Sequence, residues 1–176
     1  MKPTQEMTQS EIGAYVQTHL REKGIIVVLS GGSTVSIYSG NKYVSRDLDL
    51  VNVYSVKRRL IRDAMHEIGF HETIRYFKHP ESQFIVEFPA GPLAVGMEPV
   101  KQINEIKLST GILTIISPTD CVKDRLAAYY HWGDRQCLEQ ANLVARENEV
   151  DISELERWSF AEGKLDEFNK IRAMFS

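Results

Sequence analysis

The run "IIVVLSGGS", Ile25 to Ser33, constrains this chain more than any other stretch. The apolar residues from Ile25 to Leu29 are mostly β-branched, too few for a helix, and apolar on both faces, which is the pattern of a central strand buried on each side. A glycine pair follows at once and frees the backbone for a sharp turn or the close approach of a ligand. Ser33 to Tyr38 has the length of a short helix, "SGNKY" closes it with a turn, and Asp47 to Val53 alternates charged or polar with apolar residues as a strand does. The glycine turn therefore joins two strands.

At 176 residues the chain is long enough for one well-buried core, as a single domain or a domain with a small helical appendage. Upstream of the central strand, Thr8 and Glu11 have capping-box spacing before a helix carrying Ile12, Val16 and Leu20 and ended by Gly24. Downstream, Val56, Leu60, Ala64 and Ile68 predict the buried stripe of a second helix closed by Gly69, with Lys57, Arg58, Arg59 and Arg62 on its outer faces. Three further strands are predicted at Thr73 to Phe77, Phe84 to Phe88 and Ile112 to Ile116. Phe84 to Phe88 and Leu93 to Val95, with "PAGP" between them, read as an interrupted strand or a loose hairpin. From Pro118 the pattern is helical: Thr119 to Trp132, Asp134 to Arg146, Ser153 to about Glu162, and Lys164 to Phe175. The expected architecture is α/β, a mixed β-sheet core flanked by helices over residues 1–117, with a helical segment over residues 118–176 packed upon it.

Several function classes fall away. No apolar run approaches the roughly 20 residues of a membrane-spanning helix. The opening "MKPTQEMTQSEIG" has no apolar core of a secretory signal, so the expected compartment is the cytoplasm. A net charge of -3 argues against a broad basic face wrapped on duplex nucleic acid, although a local basic patch stays open. Cys121 and Cys137 match neither a metal knuckle nor a disulfide framework and read as plain thiols. In "HEIGFH", His66 and His71 lack the spacing of a zinc helix. The aromatic run Tyr129 to Trp132 could stack a base or pack against the sheet.

The chemistry concentrates in "DLDL". Asp47 and Asp49 leave the same face of their strand with Cα atoms ~6.5–7 Å apart, while Leu48 and Leu50 point the other way into the core. Aspartate is disfavoured in strands and two like charges repel, so the arrangement is costly without a cation between them. Magnesium is the natural cation, because it takes hard oxygen ligands and completes its shell with water and substrate phosphates. Beside the pair, Gly31 and Gly32 let backbone amides approach a ligand, and Ser33 adds a hydroxyl at a helix N-terminus, together a candidate phosphate seat. The turn has neither the lysine of a Walker loop nor the spacing of a dinucleotide fold. Glu87 interrupts the apolar strand "FIVEF" and is a third acid. The alternative for it is an ion pair with Arg46 or Arg125.

A strand, "GGS", a short helix, a strand bearing "DLDL" and a later strand with one more carboxylate resemble, in that order, the nucleotidyltransferase superfamily with the DNA polymerase β-like fold. The resemblance covers about residues 25–90. It implies that Gly31, Gly32 and Ser33 hold a triphosphate and that Asp47, Asp49 and Glu87 bind two magnesium ions. Glu87 would also help activate the attacking hydroxyl. The later stretch "SPTDCVKDRLAAYYHWGDRQCLEQA" looks like the corresponding helix of abortive-infection and minimal-type bacterial nucleotidyltransferases, which places Lys123 on the nucleotide and Asp134 with Arg135 at the next helix. The chain departs from the family in having Glu87 where aspartate is commoner, and in the loop "YSGNKYVSR" before Asp47. The implied activity is transfer of a nucleoside monophosphate from a triphosphate, ATP first, to a hydroxyl or phosphate acceptor, which could belong to a protein, a transfer RNA end or a small molecule. A toxin–antitoxin or defence setting accompanies that likeness. The rival expectation is a non-catalytic module on the same fold, an antitoxin or regulatory partner.

Overall fold

The computed structural model describes residue 3 and residues 5–175. Helix α1 (Gln9–Glu22) begins at the capping box: the Thr8 hydroxyl accepts from the Glu11 N–H, and the Glu11 carboxylate accepts from the Thr8 N–H. Ile12, Val16 and Leu20 are fully buried along it. The central strand β1 (Val27–Ser30) leads through the glycine turn into α2 (Gly32–Tyr38), and β2 (Asp47–Asn52) returns antiparallel to β1. Then come α3 (Arg58–Glu67) and the short strands β3 (His71–Glu72), β4 (Tyr76–Lys78) and β5 (Ile85–Glu87). A small hairpin of β6 (Ala94–Val95) and β7 (Glu98–Pro99) stands apart. Strands β8 (Ile103–Leu108) and β9 (Gly111–Ile116) complete a mixed sheet of order β3-β4-β5-β2-β1-β9-β8. Four helices follow: α4 (Pro118–Trp132), α5 (Arg135–Glu147), α6 (Ile152–Ala161) and α7 (Leu165–Ile171).

The continuous apolar run of β1 is explained by cover on both faces. Val27 and Leu29 join Leu48, Leu50 and Val86 against α1 and α3, whereas Val28 joins Val35 and Ile116 against the later helices. Trp158 anchors that second core, stacked on Tyr130 at 6.0 Å, with its indole N–H donating to the Val95 carbonyl at 3.4 Å. The end helices thus pack on the sheet through large buried side chains. Of the aromatic run, Tyr130 packs here and bonds Ser159, while Trp132 is 79% exposed. No helix among the described residues is long and apolar enough to cross a membrane.

Three sequence expectations need correction. The buried face of α3 is Ile61, Ala64 and Met65, and Leu60 is 49% exposed. At 3.6 residues per turn a strict four-residue spacing drifts off one face, and Val56 precedes the helix altogether. Strand β4 begins at Tyr76 because Thr73 turns back, its N–H and hydroxyl both donating to the Tyr76 carbonyl. Leu93 to Val95 forms no hairpin with β5, since β6 pairs with β7 instead. Strand β8 carries no clear strand signal in the sequence. It is an edge strand whose Glu105 and Lys107 interrupt its apolar content, and the long ladder with β9 holds it.

Candidate active site

Strand register assembles the site. β1 and β2 pair Ser30 with Asp49, β2 and β5 pair Asp49 with Glu87, and β5 and β4 pair Glu87 with Tyr76. Residues in register share a sheet face, so Ser30, Asp49, Glu87 and Tyr76 form one row across four strands spaced ~4.8 Å apart. Asp47 lies on the same face one row along, beside Ile85. Leu48 and Leu50, fully buried in the opposite face, hold this alternation in place, because a one-residue slip would drive the acids into the core.

The Asp49 carboxyl is pushed up to about 6, first by burial, then by the charges of Glu87 and Asp47. Arg125 on α4 counteracts part of this, and Asp124 adds to it. Arg125 is held in turn by Asp124 and donates to Gln140 at 3.3 Å. The foreseen alternative for Glu87 does not occur: neither Arg46 nor Arg125 pairs with it, and Glu87 has no salt bridge among the described residues. The sequence does not mark Asp124 and Arg125 together as neighbours of the acids. Nothing local distinguishes them from any other charged pair on an amphipathic helix.

The glycine turn is built around Asp49. Gly31 takes φ 71 and ψ -156, and a Cβ there would lie 2.2 Å from the Asp49 Oδ2. Only glycine permits both the backbone and the approach. Gly32 is the first helical residue of α2, and a Cβ on it would meet only Ser45 and Tyr43 at 3.4 Å or more. Ser33 is fully buried and its hydroxyl donates to the Ser30 carbonyl at 3.2 Å, so the side chain braces the turn rather than facing outward.

Lys123 is not brought to the acids. Its ammonium donates to Asp120 at 3.2 Å and Glu154 at 2.6 Å in a separate cleft, locking α4 to α6, with Arg157 linking Glu154 onward to Glu98. Asp134 caps α5 through the Cys137 N–H. Cys121 is buried, bonded to Thr34 at 3.0 Å, and its thiol is pushed up to about 12 by burial. His66 and His71, exposed on different elements, bring their rings to 5.7 Å of each other. A cavity of about 550 Å³ opens around Asn52 and Arg58 at the far end of β2, and none of the three acids lines it.

No protein-family model matches the chain, and no curated protein matches it in sequence. Solved structures do. An antigenic nucleotidyltransferase-like protein from Paracoccidioides brasiliensis superposes with a TM-score of 0.65 at 14% identity, covering 98% of this chain and 94% of that one. The chain has the nucleotidyltransferase fold. The antibiotic-resistance factor ANT(2'')-Ia superposes with a TM-score of 0.52 at 11% identity, covering 90% of each chain.

The donor set suits a hard divalent cation. Two carboxylates on one strand and a third in register beside them are all oxygen donors, and Asp49 is raised first by burial and then by the charges of Glu87 and Asp47. Among the described residues no group of three acids, histidines or cysteines converges into a ready-made cage. Magnesium needs none, as it commonly takes one or two carboxylates and fills its octahedron with water and phosphate oxygens.

Proposed function

We propose that the protein is a nucleotidyltransferase that moves a nucleoside monophosphate, AMP from ATP in the first instance, to a hydroxyl-bearing acceptor. The observation that carries this reading is the row Asp49–Glu87 beside Asp47, closed at one end by a turn that only Gly31 can make. Asp47 and Asp49 would hold the magnesium ions, with Glu87 as the third acid. Bound there, magnesium neutralises triphosphate charge and makes the acceptor oxygen easier to deprotonate. The chain's own groups do the rest. Glu87, which forms no salt bridge among the described residues, accepts the proton of the attacking hydroxyl. The backbone of Gly31 and Gly32 seats the phosphates, and Ser33 and Thr34 keep that turn rigid through their bonds to Ser30 and Gly31. Pyrophosphate leaves on the side opposite the attack. Lys123 has no part in this reading, because its charge is already matched. ANT(2'')-Ia is an antibiotic-resistance factor, which supports a small-molecule acceptor as one class beside a protein side chain and a transfer RNA end. A toxin–antitoxin or defence setting rests on the sequence resemblance.

The test is a single-turnover assay with α-labelled nucleoside triphosphates, magnesium and each acceptor class, alongside calorimetric binding of ATP with and without magnesium. Magnesium-dependent ATP binding and labelled acceptor are the expected results. ATP binding indifferent to magnesium, with no acceptor labelled, would overturn the enzyme and leave the non-catalytic module.

A further inference from the structure

The sheet has one long free edge. Strand β8 closes the order β3-β4-β5-β2-β1-β9-β8, on the far side of β1 and β9 from the acids, and no strand among the described residues pairs with its outer side. The opposite edge, β3, is only His71 and Glu72. Which backbone groups of β8 face outward follows from its ladder with β9. The turn Ser109–Thr110 has two residues, so the flanking pair Leu108–Gly111 is hydrogen-bonded, and Ile106–Leu113 and Asn104–Ile115 follow in step. The pairs between them exchange no such bonds. The Ile112 N–H donates to the Thr18 hydroxyl at 3.1 Å, and Thr114 donates its N–H to the Gln17 Oε1 at 2.6 Å and accepts from the Gln17 amide at 2.9 Å. The N–H and C=O of Glu105 and Lys107, opposite Thr114 and Ile112, therefore point out from the edge.

The side chains on this edge are as unspent as its backbone. Glu105 and Lys107 are exposed, share one face, and form no salt bridge among the described residues. On the other face Ile106 and Leu108 are half-buried against the core. An acid and a base two positions apart on a free edge make a strand that can complement itself, because a two-fold axis reverses the order of the charges.

We propose that β8 is an interface between two copies of this chain, which join their sheets by antiparallel β8–β8 pairing about a two-fold axis through Ile106. Outward backbone groups must meet outward ones, so odd-numbered residues face odd-numbered residues, and charge then selects the register. Centred on Glu105 or on Lys107, the pairing would set like charges directly opposite, which is destabilising. Centred on Asn104, it would engage only the first half of the strand. Centred on Ile106, Glu105 faces the second copy's Lys107 and Lys107 faces its Glu105, and these same residues exchange the backbone hydrogen bonds. Ile106 meets its own copy on the other face at the ~4.5 Å Cα separation of a non-hydrogen-bonded pair. Such a contact is isologous and closes at two, so it does not propagate into fibres. A six-residue edge makes a small interface, of the transient class below about 1,200 Å². The acid row on β2 and β5 lies beyond β9 and β1, so association leaves it open whatever reaction it runs.

The experiment is sedimentation of the full chain from about 1 to about 500 µM, the range in which a small interface associates. The wild type should pass reversibly from one chain to two as concentration rises. Glu105→Lys and Lys107→Glu should each raise the dissociation constant about tenfold or more, since each turns two attracting pairs into two repelling ones. Both residues are exposed, so circular dichroism melts of the variants should match the wild type. The double charge swap Glu105→Lys with Lys107→Glu should associate as the wild type does. An equimolar mixture of the two single variants should also dimerise, because one copy then carries both lysines and the other both glutamates. Ile106→Cys should cross-link two chains under mild oxidation, its Cα separation of about 4.5 Å lying within disulfide range, whereas the wild type, whose Cys121 and Cys137 are buried, should not. A wild type that stays monomeric throughout overturns the inference and leaves Glu105 and Lys107 as charges that guard a bare edge. A dimer that both single variants leave unmoved, or that neither the double swap nor mixing restores, overturns it as well, since another surface then holds the copies.

Discussion

Replacing Asp49 with asparagine removes charge from the most crowded point of the acid row, so the metal-free protein should gain stability at neutral pH while transfer is lost. The folded carboxyl titrates at about 6 against an ordinary 3.8. At about 1.4 kcal/mol per unit this corresponds to roughly 3 kcal/mol, which partial exposure screens to about 1–2 kcal/mol. A raised acid favours folding in its protonated form. Its contribution is fully present below the unfolded value near 3.8, declines as pH climbs, and is lost above about 6. Asparagine does not titrate, so the mutant advantage should be about 1–2 kcal/mol at pH ~7.5, smaller at pH ~5.5 and nearly absent at pH ~4. Urea titrations followed by circular dichroism, with divalent ions chelated, measure all three. Millimolar magnesium should then raise the wild type and not the mutant, since an ion that binds only the folded state stabilises it by mass action. A mutant equal to or weaker than the wild type at neutral pH, or an advantage that does not shrink on acidification, would refute the account of a buried Asp49 charge crowded by Glu87 and Asp47.

The two glycines should separate cleanly. Gly31→Ala forces a side chain into a left-handed backbone against Asp49 and should cost about 3 kcal/mol or more by thermal unfolding, whereas Gly32→Ala should stay within about 1 kcal/mol. Glu87→Gln should keep the melting temperature and ATP binding yet slow single-turnover transfer about 10²-fold, because Glu87 forms no salt bridge among the described residues. Lys123→Met should leave the buried Asp120 without its cation and Glu154 with Arg157 alone, and lower stability by about 3 kcal/mol in chemical denaturation, with ATP affinity unchanged in calorimetry.

Much of this protein is legible along the chain because the deciding forces are local. The Thr8–Glu11 capping box, the β-branched run before Gly31, Ser117 and Pro118 opening α4, and the parity that puts Asp47 and Asp49 on one face all depend on neighbours within a few residues. The element order from β1 to β2 follows from them, and so does the family likeness. What the tertiary structure alone decided is which distant residues share a row. Glu87 stands beside Asp49, and Tyr76 beside Glu87, through strand pairings between remote segments that no periodicity encodes. Gly31 rather than Gly32 is the obligate glycine because Asp49 arrives from another strand to crowd it. Lys123 turns from the acids because Asp120 and Glu154 compete for it, while Arg125, two positions on, turns toward them. A helix with charges on several faces does not announce which face meets the sheet. That choice is made by the burial of Leu126, Trp158 and their neighbours, and the charged residues take the positions left to them.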